Sequence, residues 1–273
     1  MLRPSNNDPP NYEIGRYVYS PNNDVYGLYL VIRPDMLETP GVLAEIFKLF
    51  AKYEVSILHF KLSRPELKKP IRALLFFKVN GQEVAIQQIV EELRKLEYII
   101  EVKLIEPVFK GLVVDTVMFP PTIMGERVVI FRQALLDTFV RHIRERYGSG
   151  FEAMLYYLGL DLGKSAFTSH IKYMSGDKEK ALRFGEMLFR LMGFGILKIV
   201  KIDWKTGDVI VRLYDCFECR CFKNSNSPKS QLIRGMLTGW LEGILGFKLS
   251  SEETACVARG DPYCEIRFRR AKD

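Results

Sequence analysis

Apolar residues along this chain follow two rhythms, a dense run or alternation in some segments and a recurrence every three or four positions in others. VYGLYLVIR (25–33) is an almost unbroken apolar run and predicts a strand. The loop PDMLETPG follows, and VLAEIFKLFAKY then sets Leu43, Ile46, Phe47 and Phe50 at helical spacing. SILHFKLS alternates as a second strand, and RALLFFKV is a third, more fully apolar one. EVAIQQIVEELRKL predicts a helix with Val84, Ile86, Ile89, Val90 and Leu93 on its apolar face, and YIIEVKLIE closes the series as a strand. The order βαββαβ over about 80 residues is the ferredoxin-like split pattern.

The second half has a different order. Residues 107–124 form an extended, proline-punctuated connection, and a helical pattern runs from Arg127 to Tyr147 until GSG stops it. FEAMLYYLGLDLGKSAFTSHIKYM predicts a second helix interrupted by Gly159 and Gly163, and KALRFGEMLFRLMGFG a third. ILKIVKID and DVIVRLYDCFECRCF flank the turn WKTGD as a hairpin, QLIRGMLTGWLEGILG is a fourth helix, and TACVARG with YCEIRFR makes a closing hairpin. Helices followed by a late antiparallel sheet define an α+β domain. The expected organisation is an irregular, Pro/Asn/Asp-rich leader (1–24), a ferredoxin-like domain (25–108) and an α+β domain of helices packed on an antiparallel sheet (109–273).

A chain of 273 residues is long enough for two domains with their own cores. Its formal charge of +7 arises entirely after Glu106, where Lys and Arg outnumber Asp and Glu. That half holds no basic block and no aromatic-interleaved basic stripe, so sequence-specific nucleic-acid binding is not expected. No run of about 18 apolar residues predicts a membrane span. The first residues lack the apolar core of a secretory signal, and a cytoplasmic location is expected. His59, His142 and His170 sit on unrelated elements, and no phosphate loop, dinucleotide glycine fingerprint or H-E-x-x-H helix accompanies them, which gives enzymatic chemistry thin support.

All five cysteines lie between Cys216 and Cys264, an odd number that argues against a complete disulfide framework. A turn at Gly260 and Asp261 brings Cys256 opposite Cys264, close enough to share a metal or nearly to form a disulfide; inert burial as small apolar side chains is the third reading. On a strand, Cys219 and Cys221 project from one face and Cys216 from the other, so at most two of them converge. Strict alternation also separates Glu253 from Cys256, and the acid joins the thiols only through a turn or bulge. Gly235, Gly239 and Gly243 recur every four residues on one helix face, where a close backbone approach is expected to offset their cost.

Two resemblances sharpen these readings. ETPGVLAEIFKLFAKYEVSI, in its βαββαβ setting, resembles the ACT family of small-molecule regulatory modules. That resemblance implies an amino-acid site at Glu38, Thr39, Pro40, Gly41, Val42 and Leu43, where Gly41 frees the backbone beside a helix N-terminus, and pairing of domains into a homodimer. DCFEC, GMLTGWLEGILG, ETAC and RGDPYC, strung in order over about residues 112–270, resemble the 4-vinyl-reductase-type or hydrocarbon-binding domain. Its relatives include sensor domains of aromatic-responsive activators and subunits of the TRAPP tethering complex. The resemblance implies an apolar pocket, to which Phe151, Tyr156, Tyr157, Phe184, Met187, Tyr214 and Trp240 are assigned. It also implies a structural zinc site with Glu253, Cys256 and Cys264 as ligands. The family's fourth ligand position is Ser230 here, a poor zinc donor, and Cys219 is the candidate to replace it. A ligand-sensing regulator is the expected function; a tetrapyrrole-reduction enzyme or assembly factor and a TRAPP-like adaptor are the alternatives.

Overall fold

The computed structural model describes residues 10–272 apart from 67, 80, 82 and 223. The chain divides into an N-terminal unit ending at Val129 and a C-terminal unit beginning at Ile130.

The N-terminal unit contains β1 (Tyr17–Tyr19), β2 (Asp24–Ile32), α1 (Val42–Lys52), β3 (Ser56–Leu62), β4 (Ile71–Val79), α2 (Glu83–Lys95), β5 (Ile99–Ile105) and β6 (Leu112–Val114). It ends in a short hairpin of β7 (Thr122–Ile123) and β8 (Glu126–Arg127). The main sheet is antiparallel in the order β3-β4-β2-β5, the ferredoxin-like arrangement. Leu28, Leu30, Ile32, Ala73, Leu75 and Phe77 share one core with Ile46 and Phe50 of α1 and Ile89 and Leu93 of α2. Val84 is 68% exposed and Ala85 is buried in its place, because Val84 stands about 200° around the helix from Ile86.

The opposite face of the sheet is covered as well. Val25, Tyr29, Val31, Leu74, Phe76 and Ile105 pack with Val113, Val18, Val117 and Met118. β1 pairs with β6 across the register Tyr17↔Val114, so part of the expected leader is an ordered strap; residues 1–9 lie outside the described residues. Burial on both faces explains why β2 and β4 read as unbroken apolar runs. Asp115 fastens the strap: its buried carboxylate accepts from Arg16 Nε at 3.0 Å and Nη2 at 2.7 Å, and from the backbone N–H groups of Val117 at 3.0 Å and Met118 at 2.9 Å.

The C-terminal unit contains α3 (Gln133–Asp137), α4 (Ile143–Tyr173), α5 (Lys178–Leu191), β9 (Ile196–Ile202), β10 (Val209–Tyr214), α6 (Gln231–Leu245), β11 (Leu249–Ala255) and β12 (Cys264–Arg270). Its sheet is antiparallel in the order β11-β12-β10-β9. Ile233, Leu237, Leu241 and Ile244 of α6 share a core with Val209, Val211, Ile266 and Phe268 of the sheet. The first predicted helix begins later than its pattern, at Gln133, and passes through a π turn at Thr138–His142. Gly148, at φ 60 and ψ −143, kinks the helix where GSG stood; no side chain lightly adopts that backbone.

Gly159 and Gly163 do not interrupt α4. They lie where α4 crosses α6, facing Gly235 and Gly239. A Cβ on Gly163 would stand 2.0 Å from the Met236 carbonyl oxygen, and one on Gly239 2.0 Å from that of Leu160. Backbone lies directly on backbone. The intrinsic cost of glycine in a helix is offset by this approach, which any side chain would block.

Candidate functional site

The thiol cluster is assembled by irregular backbone at the end of the C-terminal sheet. β10 stops at Tyr214, Asp215 takes the left-handed conformation (φ 54), and Cys219–Cys221 form a 3-10 turn. The expected strand through the three cysteines is therefore absent. Glu218 provides the reason. Its fully buried carboxylate accepts from Leu232 N at 3.0 Å and Ile233 N at 2.9 Å, capping α6, and is ion-paired with buried Arg144. That pull folds the segment inward and delivers Cys219 to the core. Cys221 goes elsewhere: its thiol donates to Asp137 Oδ1 at 3.1 Å, and burial pushes it up to about 12.

Cys256 and Cys264 flank the closing turn. Asp261 holds that turn by accepting from Cys256 N at 2.7 Å and Arg259 Nη2 at 3.0 Å. The β11–β12 register shifts between Glu253 and Ala255, and this bulge puts Glu253 on the same side as Cys256. Cys219 Sγ lies 3.5 Å from both Cys256 Sγ and Cys264 Sγ, which are 4.0 Å from each other. Ligand atoms of Cys219, Glu253, Cys256 and Cys264 all lie within 4.8 Å of one another. All five cysteines are free thiols. Cys216 is buried beside the set, and hydrogen bonding with Cys219 and then Cys264 lowers its thiol to about 6.

These residues fit a tetrahedral metal. Thiolates about 2.3 Å from a zinc ion stand about 3.8 Å apart, close to the sulfur separations seen. Val257 N donates to Cys264 Sγ at 3.4 Å, the kind of outer contact that steadies a metal-bound thiolate. Glu253 Oε1 is buried without a hydrogen-bond partner, and burial raises its carboxyl to about 8. A nearby cation would relieve both. Ser230 sits at the N-cap of α6 with its Oγ buried and unbonded, while its N–H donates to Glu253 Oε2 at 3.3 Å. The hydroxyl adjoins the cluster, but the fourth donor the fold supplies is Cys219.

In the N-terminal unit, a cavity of about 280 Å³ opens beside the loop before α1. Thr39, Pro40, Gly41, Val42 and Leu43 line it; Glu38 is exposed and does not. Gly41 is the N-cap of α1 with φ 96. Ile32, Met36, Leu62 and Ile71, remote in sequence, complete the wall.

The residues assigned to an apolar C-terminal pocket fall in separate places. Phe184 and buried Trp240 gather around His170, with ring centroids 5.1 and 6.2 Å from it. Tyr156 lies under Arg234 at 4.6 Å, and Tyr214 packs on Tyr263 at 5.6 Å. Tyr157 and Met187 are 64% and 62% exposed, and Phe151 is half-buried. Sequence reasoning passes over Glu218 and Arg144. The one signal is an acid amid cysteines in CFECRC, which alternation disguises as a strand.

Two family models match the chain: the ACT domain over residues 30–98 and the vinyl-4-reductase-type domain over residues 209–270. The chain thus joins an ACT domain to a vinyl-4-reductase-type domain. The uncharacterized protein MJ0150 of Methanocaldococcus jannaschii is 29% identical over 119 residues, a match spanning 44% of this chain and 65% of that relative. Among solved structures, the phenol-responsive sensory domain of the transcription activator PoxR, determined with phenol, is 19% identical. The similarity covers 53% of this chain and 77% of that one, with a TM-score of 0.49. A trafficking protein particle complex subunit 3 from Naegleria fowleri, covalently bound to palmitic acid, is 15% identical over 51% of this chain and 93% of its own, with a TM-score of 0.42.

Proposed function

We propose that the protein is a cytoplasmic ligand-sensing regulator that binds a small molecule in its ACT domain and an apolar or aromatic molecule in its C-terminal domain. The observation that carries this reading is the cavity at the loop before α1, where five of the six residues assigned to ligand binding form the wall. In the second domain, Trp240 Nε1 is buried without an acceptor, which leaves a donor for a ligand oxygen beside Phe184. Occupancy of either site would bias the states available to the other. Free, closely spaced thiols suit a reducing compartment. No helix among the described residues is long and apolar enough to cross a membrane.

A structural zinc ion held by Cys219, Glu253, Cys256 and Cys264 belongs to the same proposal. Bound there, it would tie the loop before α6 to the closing hairpin and contribute folding energy rather than chemistry. The protein would act as a homodimer, for α4 leaves Met154, Tyr157, Leu158 and Leu162 exposed on its outward side. Mass spectrometry of small molecules released from the native protein tests the functional reading. A bound apolar molecule or amino acid supports it, and a stoichiometric tetrapyrrole or flavin overturns it in favour of an enzyme. Elemental analysis with one zinc per chain supports the metal, and light scattering that finds a monomer at micromolar concentration refutes the dimer.

A further inference from the structure

The geometry points to selectivity of the ACT-domain cavity for an aliphatic amino acid or its 2-oxo acid, with Ile32, Met36, Leu62 and Ile71 setting that choice. This inference rests on the reading of the cavity as a ligand site. It goes further by naming the class that enters.

Size gives the first bound. A cavity of about 150 Å³ holds benzene, so about 280 Å³ corresponds to roughly a dozen non-hydrogen atoms at similar filling. That range fits a free amino acid and is too small for a nucleotide or a long acyl chain. Chemistry gives the second. Ile32, Met36, Val42, Leu43, Leu62 and Ile71 contribute apolar side chains, and among the described residues no charged side chain lines the cavity. Glu38, the acid of the loop, is exposed and absent from the wall, while Lys61 and Arg72, beside Leu62 and Ile71, are likewise not part of it. A ligand whose side chain carries a charge would have to bury it unpaired, which is costly. Thr39 brings a hydroxyl to the wall, and it already donates to the Asp35 carbonyl at 3.3 Å. The side chain admitted is therefore aliphatic.

The four wall residues that make the choice come from separate elements: Ile32 ends β2, Leu62 ends β3, Ile71 begins β4 and Met36 lies in the 3-10 turn Pro34–Glu38. Met36 is half-buried and outside the sheet, so it can be changed without cutting into the ladder.

Calorimetric titration of the full chain with L-leucine, L-isoleucine, L-valine, 4-methyl-2-oxopentanoate, L-aspartate and L-lysine tests the inference, alongside a Met36→Glu variant. At least one aliphatic ligand is expected to bind about 100-fold more tightly than L-aspartate or L-lysine. Met36→Glu is expected to lose at least tenfold for that ligand while melting within a few degrees of the parent. Equal or tighter binding of a charged amino acid that Met36→Glu alters overturns the selectivity and leaves the site in place. Aliphatic binding indifferent to Met36→Glu puts the ligand elsewhere and overturns the inference. Binding of no member of the panel overturns both the selectivity and the reading of the cavity as a ligand site. A tighter grip on L-lysine by Met36→Glu than by the parent would support the position of the wall independently.

Discussion

Alanine replacement of two glycines in the same helix should have opposite effects. Gly150 and Gly163 both lie in α4, and helix propensity alone says that either would gain about 1 kcal/mol as alanine. At Gly150 a Cβ meets nothing within 4 Å, so that gain should be realised. At Gly163 the Cβ would stand 2.0 Å from Met236 O and 2.7 Å from Trp240 N, both backbone atoms of α6 that no rotamer change can move. An ordinary contact needs well over 3 Å, so the helices must part by about 1 Å. Spread over a contact patch of order 100 Å², that gap opens about 100 Å³ of poorly filled space. At about 24 cal/mol per Å³ the cost is roughly 2.4 kcal/mol, and strain in the crossing adds about 1 kcal/mol or more. After subtracting the propensity gain, Gly163→Ala should lose about 2–3 kcal/mol.

At about 2–4 °C per kcal/mol, the thermal midpoint should fall by about 5–10 °C for Gly163→Ala and rise by about 2–4 °C for Gly150→Ala. Far-ultraviolet circular dichroism, with urea titration as a second measure, reads both. If Gly163→Ala melts at or above the parent temperature, the backbone-on-backbone crossing is wrong and the glycines need another explanation.

Three further outcomes follow from the sites. Cys219→Ser should lose bound zinc by elemental analysis, and Cys219→Ser/Ser230→Cys should regain it, because buried Ser230 adjoins Glu253 at the family's ligand position; a double variant without metal would refute the proposed donor set. Glu218→Gln should cost about 3–5 kcal/mol in urea unfolding, since it leaves the buried Arg144 guanidinium without its counter-charge, and Arg144→Met/Glu218→Gln should cost less than the two single changes together. Asp115→Ala should free the strap and make Arg16 a trypsin site under native conditions, whereas unchanged resistance would mean that the apolar contacts of β1 and β6 suffice without the latch.

The ferredoxin-like half was legible because its periods are clean: β2, β4, α1 and α2 each bury residues at strand or helix spacing. The strap was not, because β1 and β6 have three residues each and the pairing Tyr17↔Val114 joins segments with the whole sheet between them. In the second half, glycine spacing correctly announces a close approach on α6, whereas on α4 the same residue type reads as an interruption. Both helices use it for one crossing. Cys-x-Cys alternation imitates a strand at 219–221; the deciding contact, Glu218 with the α6 N-terminus, depends on a helix that begins 13 residues later, at Gln231. The cavity wall was half visible. Its loop has a sequence signature, while Ile32, Leu62 and Ile71 are ordinary strand-end aliphatics that only the assembled sheet brings together.

The strap separates two notions of a module that usually coincide. Residues 30–98 are the part recognisable by similarity, yet a fragment trimmed to those limits would lose most of β2 and all of β5 and uncover Val31, Leu74 and Phe76. Bare apolar strands of that kind are prone to stick to one another. The smallest piece that could be transplanted into another protein runs from before Arg16 to beyond Met118, with both flanks travelling as one wrapping. Dissection of this protein should therefore follow the shielding of its sheet, and gene fusions that inherit only the recognisable middle would inherit a surface that cannot face water.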